Sequence, residues 1–378
     1  MSFEKGRKSD KAGSTAEGLR SVERFWQVKL PEKFCNIYSL YSQPFLAPCE
    51  FFALDSIANG SGRGFGMLPQ FMPFGRAVGE GGLYGFYVTP DTAQGYWPVL
   101  YWDEEESYHR PVSSNFDAFL RHCILVARYE TEEQLDDTAA GPDVLDEQRE
   151  IARLLRIDAD LVFGALPRND TELYELLARS DPQDASSLCH LGCVSRSRAS
   201  AERSLDFYHR AIEAAPWFGD SSYLLADSYR ETGNGTRAVQ GWWAVVQRLL
   251  PLCTRTWEWN LGEKHPEGDV YEVAADALAQ HAESADSEIK TSALWRVVVK
   301  DDPYDPDVRE SLGNDLLSSG DLAGAEREYL NALSLCCAER GRQADRLYGD
   351  LCDLYGRQGR LRDANLCKFD CMLPRPHG

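Results

Sequence analysis

Apolar and polar residues recur along this chain with two different periods, and the change between them divides it. Leu19, Val22, Phe25 and Trp26 share one helical face. After a break at Leu30-Pro31, Phe34, Ile37, Tyr38 and Tyr41 resume the same 3.6-residue period, so two short amphipathic helices are expected. From Cys49 to Trp102 the chain becomes short aromatic and β-branched runs punctuated by Gly and Pro: "CEFFAL", "GFGMLPQFMPFG", "GLYGFYV" and "YWPVLYW". Such runs predict strands. In the last of them, alternation puts Tyr96, Pro98, Leu100 and Trp102 on one face and Trp97, Val99 and Tyr101 on the other; neither face is polar, so the strand should be covered on both sides. Pro98 removes a ladder donor and favours an edge, a bulge or the strand start. Ser114 can then cap a helix with Asp117 three residues on and an apolar stripe of Phe116, Phe119, Leu120, Cys123 and Ile124. These elements make an α+β domain, an antiparallel-rich sheet with flanking helices.

Between Glu130 and Glu150 nine acids stand against one base around "AAGPD", which reads as an exposed connector. Beyond it the strand signals vanish and the pattern is helical to the end. Within this half Leu191, Gly192, Tyr208 and Ala211 return after 34 residues as Leu225, Ala226, Trp242 and Val245. Leu278, Trp295 and Val298 likewise return after 34 as Leu312, Tyr329 and Ala332. Other slots recur in the same register: Gly at 192 and 313, Tyr at 229 and 355, turn Gly at 233, 320 and 359, Ala at 238, 325 and 364, and Pro at 216 and 303. The pattern resembles the tetratricopeptide repeat, a helix-turn-helix unit of about 34 residues. It implies an all-α solenoid after the α+β domain. Ser195, where the repeat has Tyr, and "PLCTRTWEWNLGEKHPEG" depart from the pattern. The expected boundaries are a disordered arm over 1–17, the α+β domain over 18–128, an acidic linker over 129–150, a helical cap over 151–184 and repeats over 185–378.

The amino-terminal features follow a recognisable order: Leu30-Pro31 opening a helix, a Gly-preceded aromatic strand from Gly82 to Val88, "PVLYWDEE" from Pro98 to Glu105, and a closing helix from Ser114 to Leu120. This resembles the SUKH superfamily, the Smi/Knr-type domain. The resemblance implies an α+β fold with no shared catalytic constellation. It also implies action through protein contacts, as in bacterial immunity proteins that block nuclease or deaminase toxins and in fungal cell-wall and signalling regulators.

Composition narrows the partners. A length of 378 residues suggests two or three domains, and 43% apolar residues with nine Trp can fill their cores. The formal charge of −20 argues against nucleic acid, whose binders concentrate cations. No apolar run approaches a membrane span and "MSFEKGRKSDKAGSTAEG" has no apolar core, so a cytoplasmic protein without membrane contact is expected. Eleven cysteines in such a chain should be mostly free thiols.

Candidate chemistry is weak throughout. "GSGRGFG", Gly60 to Gly66, is followed by "MLPQFMPFG", whose prolines forbid the helix a phosphate loop needs, so a turn is expected. Asp103, Glu104, Glu105 and Glu106 are consecutive and point to opposite faces of an extended chain, and only His109 lies near, so convergence is not implied and they read with Tyr108 as a solvent-facing or partner-facing rim. Cys189 and Cys193 share a helical face, but His190 points away and the spacing is not that of common zinc sites. Cys352, Cys367 and Cys371 read as interior thiols. No nucleophile motif is present, and no enzyme, cofactor or metal is expected.

The tetratricopeptide likeness implies a concave groove exposing Arg196, Tyr223, Asp227, Arg230, Asp276, Gln280, Glu310, Asn314 and Asp353. Glu310 stands where carboxylate-clamping relatives carry Lys, so a partner offering basic or apolar side chains is preferred, a basic toxin domain or a peptide segment. Two functional readings stay open: an immunity-type inhibitor occluding a toxin domain, and a regulatory scaffold joining two proteins through the SUKH-like domain and the groove.

Overall fold

The structure, a computed structural model, describes residues 12–41, 44–64, 67–79, 81–89, 92, 94–133, 149–157, 164, 167–259, 267–336 and 341–372. The chain separates into two compact units. The first runs to Arg63 and adds Phe71–Glu104 and Pro111–Leu191; the second comprises Gly64–Gln70, Glu105–Arg110 and the chain from Gly192 onward.

The first unit is built on a six-stranded sheet whose strands follow one another in chain order. They are β1 (Phe45–Leu46), β2 (Cys49–Phe51), β3 (Phe71–Ala77), β4 (Leu83–Tyr87), β5 (Val99–Trp102) and β6 (His109–Ser113). The pairs from β1 to β5 are antiparallel. Helices α1 (Ala12–Trp26), α2 (Glu32–Leu40) and α4 (Phe116–Glu133) accompany the sheet, with a short α3 (Leu54–Ala58) between β2 and β3. Pro31, with φ −58°, stands at the start of α2, where a missing N–H costs nothing. The core is aromatic. Phe34 of α2 meets Phe116 of α4 at 5.1 Å and Phe86 of β4 at 5.5 Å, while Phe74 of β3 lies 4.7 Å from Phe86, in the tilted and edge-on contacts that ring quadrupoles favour. All four residues of β5 are buried, as expected for a strand covered on both sides. Pro98 sits just before it and its carbonyl accepts from the Tyr87 amide, while Pro73 is accommodated by a register shift between Pro73 and Gly75.

Several expectations need correction. Helix α1 begins at Ala12, inside the arm placed over 1–17, since "AEGLRSVERFW" lets its apolar stripe reach further back. The residues before Ala12 lie outside the described ones. Helix α4 continues to Glu133, past the boundary at 128, and residues 149–154 form a helix α5, so only 134–148 of the expected linker lie outside the described residues. Strands β1 and β6 and helix α3 were too short or too polar to register as periodic. Ser114 does not cap α4. Its amide and hydroxyl both donate to Asp181, at 2.8 and 2.7 Å, and Asn115 accepts from the Ala118 amide instead. Asp181 ends α6 (Asp170–Ser180), whose Leu173 and Leu177 pack on Leu125 of α4. The expected cap helix is therefore part of the first unit, which extends to Leu191.

The second half is a series of paired helices. After α7 (Ala185–Ser197) come α8 (Ala201–Ala214), α9 (Gly219–Glu231), α10 (Gly235–Val246), α11 (Val270–Gln280), α12 (Ser287–Thr291), α13 (Ala293–Val299), α14 (Pro306–Ser319), α15 (Leu322–Ser334), α16 (Gly341–Arg357) and α17 (Leu361–Cys371). The recurring residues explain the pairing. A Cβ on Gly192 would lie 2.3 Å from Tyr208, and one on Gly313 2.7 Å from Tyr329, so glycine lets the second helix approach. In the pair between, Gly241 takes that role against Ala226. Ala238 and Ala325 are wholly buried where helices cross. Gly233, Gly320 and Gly359 have φ of 78°, 88° and 71°, the left-handed turn that ends the first helix of each pair. Asn234, Asp305 and Asp321 cap helix starts with their side-chain oxygens. The third pair is irregular, because its second helix breaks at Ser292 into α12 and α13.

Candidate partner-binding surfaces

The acidic rim begins where β5 ends. Asp103 is half-buried and Glu104, Glu105 and Glu106 are exposed in a turn that closes at Ser107 with φ 56°. Within the second unit, which holds residues 105–110, the rim already has partners. Glu106 pairs with Arg255 at 2.8 Å, the Tyr108 hydroxyl donates to Glu258, and Arg110 reaches the same carboxylate at 3.3 Å. Tyr108 is 4% exposed. The expectation of an open Tyr108 is thereby corrected: its ring is enclosed and its hydroxyl committed.

The platform beneath is the irregular segment from Leu250 to Trp259. Asp220, fully buried at the start of α9, holds it by accepting from the Thr254 amide at 3.0 Å, the Thr254 hydroxyl and the Trp259 indole N–H at 2.8 Å. Burial pushes the Asp220 carboxyl up to about 7, against the pull of those hydrogen bonds.

Along the first helices of the pairs, the proposed groove residues divide into two sorts. Arg196 binds Asp227 at 2.5 Å and Glu231 at 2.6 Å, while Arg230 binds the other oxygen of Asp227 at 2.5 Å. Burial pulls the Arg196 guanidinium down, but Glu231 and Asp227 together outweigh it and hold it up. Glu310 receives Arg346 through two bonds of 2.6 and 2.7 Å and Gln343 at 3.0 Å, and Arg346 keeps its carboxyl below the usual range. Tyr223 and Asp227 are 1% and 2% exposed, which corrects the expectation that both are open. Apart from Arg230, which shares a helix with Asp227, the neutralising partners sit in the neighbouring helix pair, at separations of 31 to 36 residues, so close helix packing encloses them. Arg230, Asp276, Gln280, Asn314 and Asp353 are exposed, and Asn314 accepts from the Tyr329 hydroxyl at 2.8 Å.

The cysteine and histidine candidates do not converge. His190 stacks on Tyr174 with ring centres 4.0 Å apart, and Cys193 accepts from the Tyr208 hydroxyl at 3.5 Å. Burial pushes the Cys193 thiol up to about 11, away from reactivity. Cys367 is buried, whereas Cys352, which donates to the Ala364 carbonyl at 3.0 Å, and Cys371 are only half-buried, which corrects the expectation that all three are interior. Among the described residues no three His, Cys, Asp or Glu side chains are grouped as a metal site requires. Gly60 has φ 68° in a turn, and β3 rather than a helix follows the "GSGRGFG" glycines, two of whose residues, 65 and 66, lie outside the described ones.

The aromatic core, strand order and closing helix can now be set against known proteins. Residues 13–122 match the SMI1 / KNR4 family (SUKH-1) model. The four segments that carried the likeness, at 30–31, 82–88, 98–105 and 114–120, all fall inside the matched residues. Gly82 illustrates why its strand is glycine-led, since a Cβ there would lie 2.3 Å from the Tyr101 ring of the next strand. The SUKH-1 match ends before the paired helices. No curated protein matches the chain. No helix among the described residues is long and apolar enough to cross a membrane.

Arg255, Glu258 and Arg346 escaped sequence reasoning as partners of the predicted residues. For Arg346 a signal existed, because its separation of 36 from Glu310 is close to the repeat period. Arg255 lies 149 residues from Glu106 and no local pattern announces it.

Proposed function

We propose that the chain is a non-enzymatic, cytoplasmic protein-binding module of the immunity type, whose SUKH-1 domain occludes a partner domain while a tetratricopeptide-like array adds a second acidic surface. The family match over residues 13–122 carries this reading. The exposed acids Glu104, Glu105, Asp276 and Asp353 support a basic partner, a toxin domain or a peptide segment, because like charge on the partner would be repelled and opposite charge steered in. Glu106, Glu310 and Asp227 contribute less, since each is answered by an arginine.

The test is capture of the partner with the tagged full chain, its identification by mass spectrometry, and titration of the purified pair at several salt concentrations. Reversal of Glu104, Glu105, Asp276 and Asp353 to Lys should weaken binding and flatten the salt slope. Unchanged affinity and slope would sink the electrostatic reading.

A scaffold joining two proteins is the second reading, favoured by the division into two compact units that each present exposed acids. Two proteins captured together, one of them lost on deleting 185–378, would select it.

A further inference from the structure

One group of side chains in the helical array runs against the charge of the whole molecule. Arg248 follows α10 and leads into the one-turn helix Leu250–Leu252. In a chain with 60 acids it is half-buried, yet its side chain has neither a carboxylate nor a hydrogen-bond acceptor among the described residues, and its Nε is enclosed. Burial lowers its pKa, Cys253 acts the other way, and a second guanidinium, Arg327, lowers it again. Two arginines near each other without a carboxylate between them are unfavourable unless an anion joins them.

Asn331 supplies a third donor. It lies one helical turn after Arg327 on α15, hence on the same face. It is 0% exposed, and its Oδ1 accepts from the Leu250 amide at 2.8 Å. That bond fixes which end of the amide is oxygen, so the other end must be the NH2 group. Its Nδ2 is enclosed without an acceptor among the described residues. Leaving such a donor unpaired in a buried place is costly.

Local charge indicates the valence of the anion that this group would take. Glu328 accepts from Arg309 at 2.7 Å and from Arg327 at 2.6 Å, so a single carboxylate serves two guanidiniums. With Arg248 the group holds, among the described residues, three cations against one anion, an excess of two positive charges in a molecule of net charge −20. A carboxylate would bring one charge and only acceptor oxygens; a phosphate group brings about two, with three acceptors for fork-shaped and amide donors.

We propose that Arg248, Arg327 and Asn331 form a binding site for a doubly charged oxyanion of the phosphate class, either free phosphate or a phosphoryl group on a partner's side chain. The site is independent of the SUKH-1 surface and of the groove acids.

Calorimetric titration of the full chain with inorganic phosphate, and separately with N-acetyl-phosphoserine amide, tests it. Saturable one-to-one binding is expected, weakened about tenfold or more in R248Q and in N331D, which keeps the acceptor for Leu250 but adds a negative charge. R198Q, at an exposed arginine elsewhere in the array, should leave binding unchanged. Tighter binding of the phosphoserine probe assigns a protein-borne phosphoryl group, and tighter binding of inorganic phosphate assigns the free ion. Should N331D fail to fold, R248Q decides alone, its folding checked by circular dichroism. Absence of saturable binding in the wild type, equal binding in R248Q, or an equal loss in R198Q overturns the site.

Discussion

At the residue scale, buried charges give the sharpest expectations. Asp220 receives three hydrogen bonds suited to its ionised form, but burial raises its pKa from an ordinary 3.8 to about 7, and burial followed by Asp181 does the same to Asp184. An acid whose folded pKa lies above its unfolded one binds more protons when folded, so its contribution to stability is full below about pH 4 and is lost as pH rises through about 7. Stability should therefore fall between those limits by at most about 1.4 kcal/mol per pH unit for each such group. D220N should flatten the slope in urea denaturation across pH 4.5 to 7.5; an unaltered slope would show that Asp220 titrates normally. The Arg309 and Glu328 pair is fully enclosed, with Arg309 also bonded to the Tyr271 hydroxyl at 2.6 Å and the Pro303 carbonyl at 2.8 Å. Arg309→Met strands the carboxylate on that side and should cost about 3–5 kcal/mol, while the double change of Arg309 and Glu328 to Met should recover most of the loss. Denaturation of both variants checks the difference.

At the scale of elements, glycine has opposite roles in different helices. Gly192 sits where a Cβ would strike Tyr208, whereas Gly349 in α16 has open space around its Cβ position. Gly192→Ala should lower stability by about 1–3 kcal/mol through overpacking. Gly349→Ala should raise it by roughly 0.5–1 kcal/mol, because only helix propensity changes. Chemical denaturation of the two single variants gives opposite signs if the helices pair as described. The same 34-residue register that revealed the glycines in the sequence also located Tyr208 and Tyr329 opposite them, since a repeat returns both members of each contact. Where the repeat is interrupted, at Ser292 and over Leu250 to Trp259, periodicity carried no information, and the course of the chain depends on buried anchors such as Asp220.

At the scale of the whole molecule, the family match closes at residue 122, but the first compact unit runs to Leu191. Leu173 and Leu177 cover Leu125, and Asp181 satisfies Ser114. A fragment of residues 12–191 should accordingly melt cooperatively and above a fragment of 12–133, which leaves that apolar patch and the Ser114 donors to solvent. Equal melting temperatures would place the unit's boundary at α4. The sequence by itself determined the period-two and period-3.6 halves, the aromatic core strands, the SUKH-type order of motifs and the helix pairs, because each is written in residues a few positions or one repeat apart. Only the tertiary structure decided which acids stay exposed, that Tyr108, Tyr223 and Asp227 are enclosed, and that Arg248 stands without a carboxylate among the described residues. Burial and charge pairing join residues far apart in the chain, and no local pattern records which of them will meet.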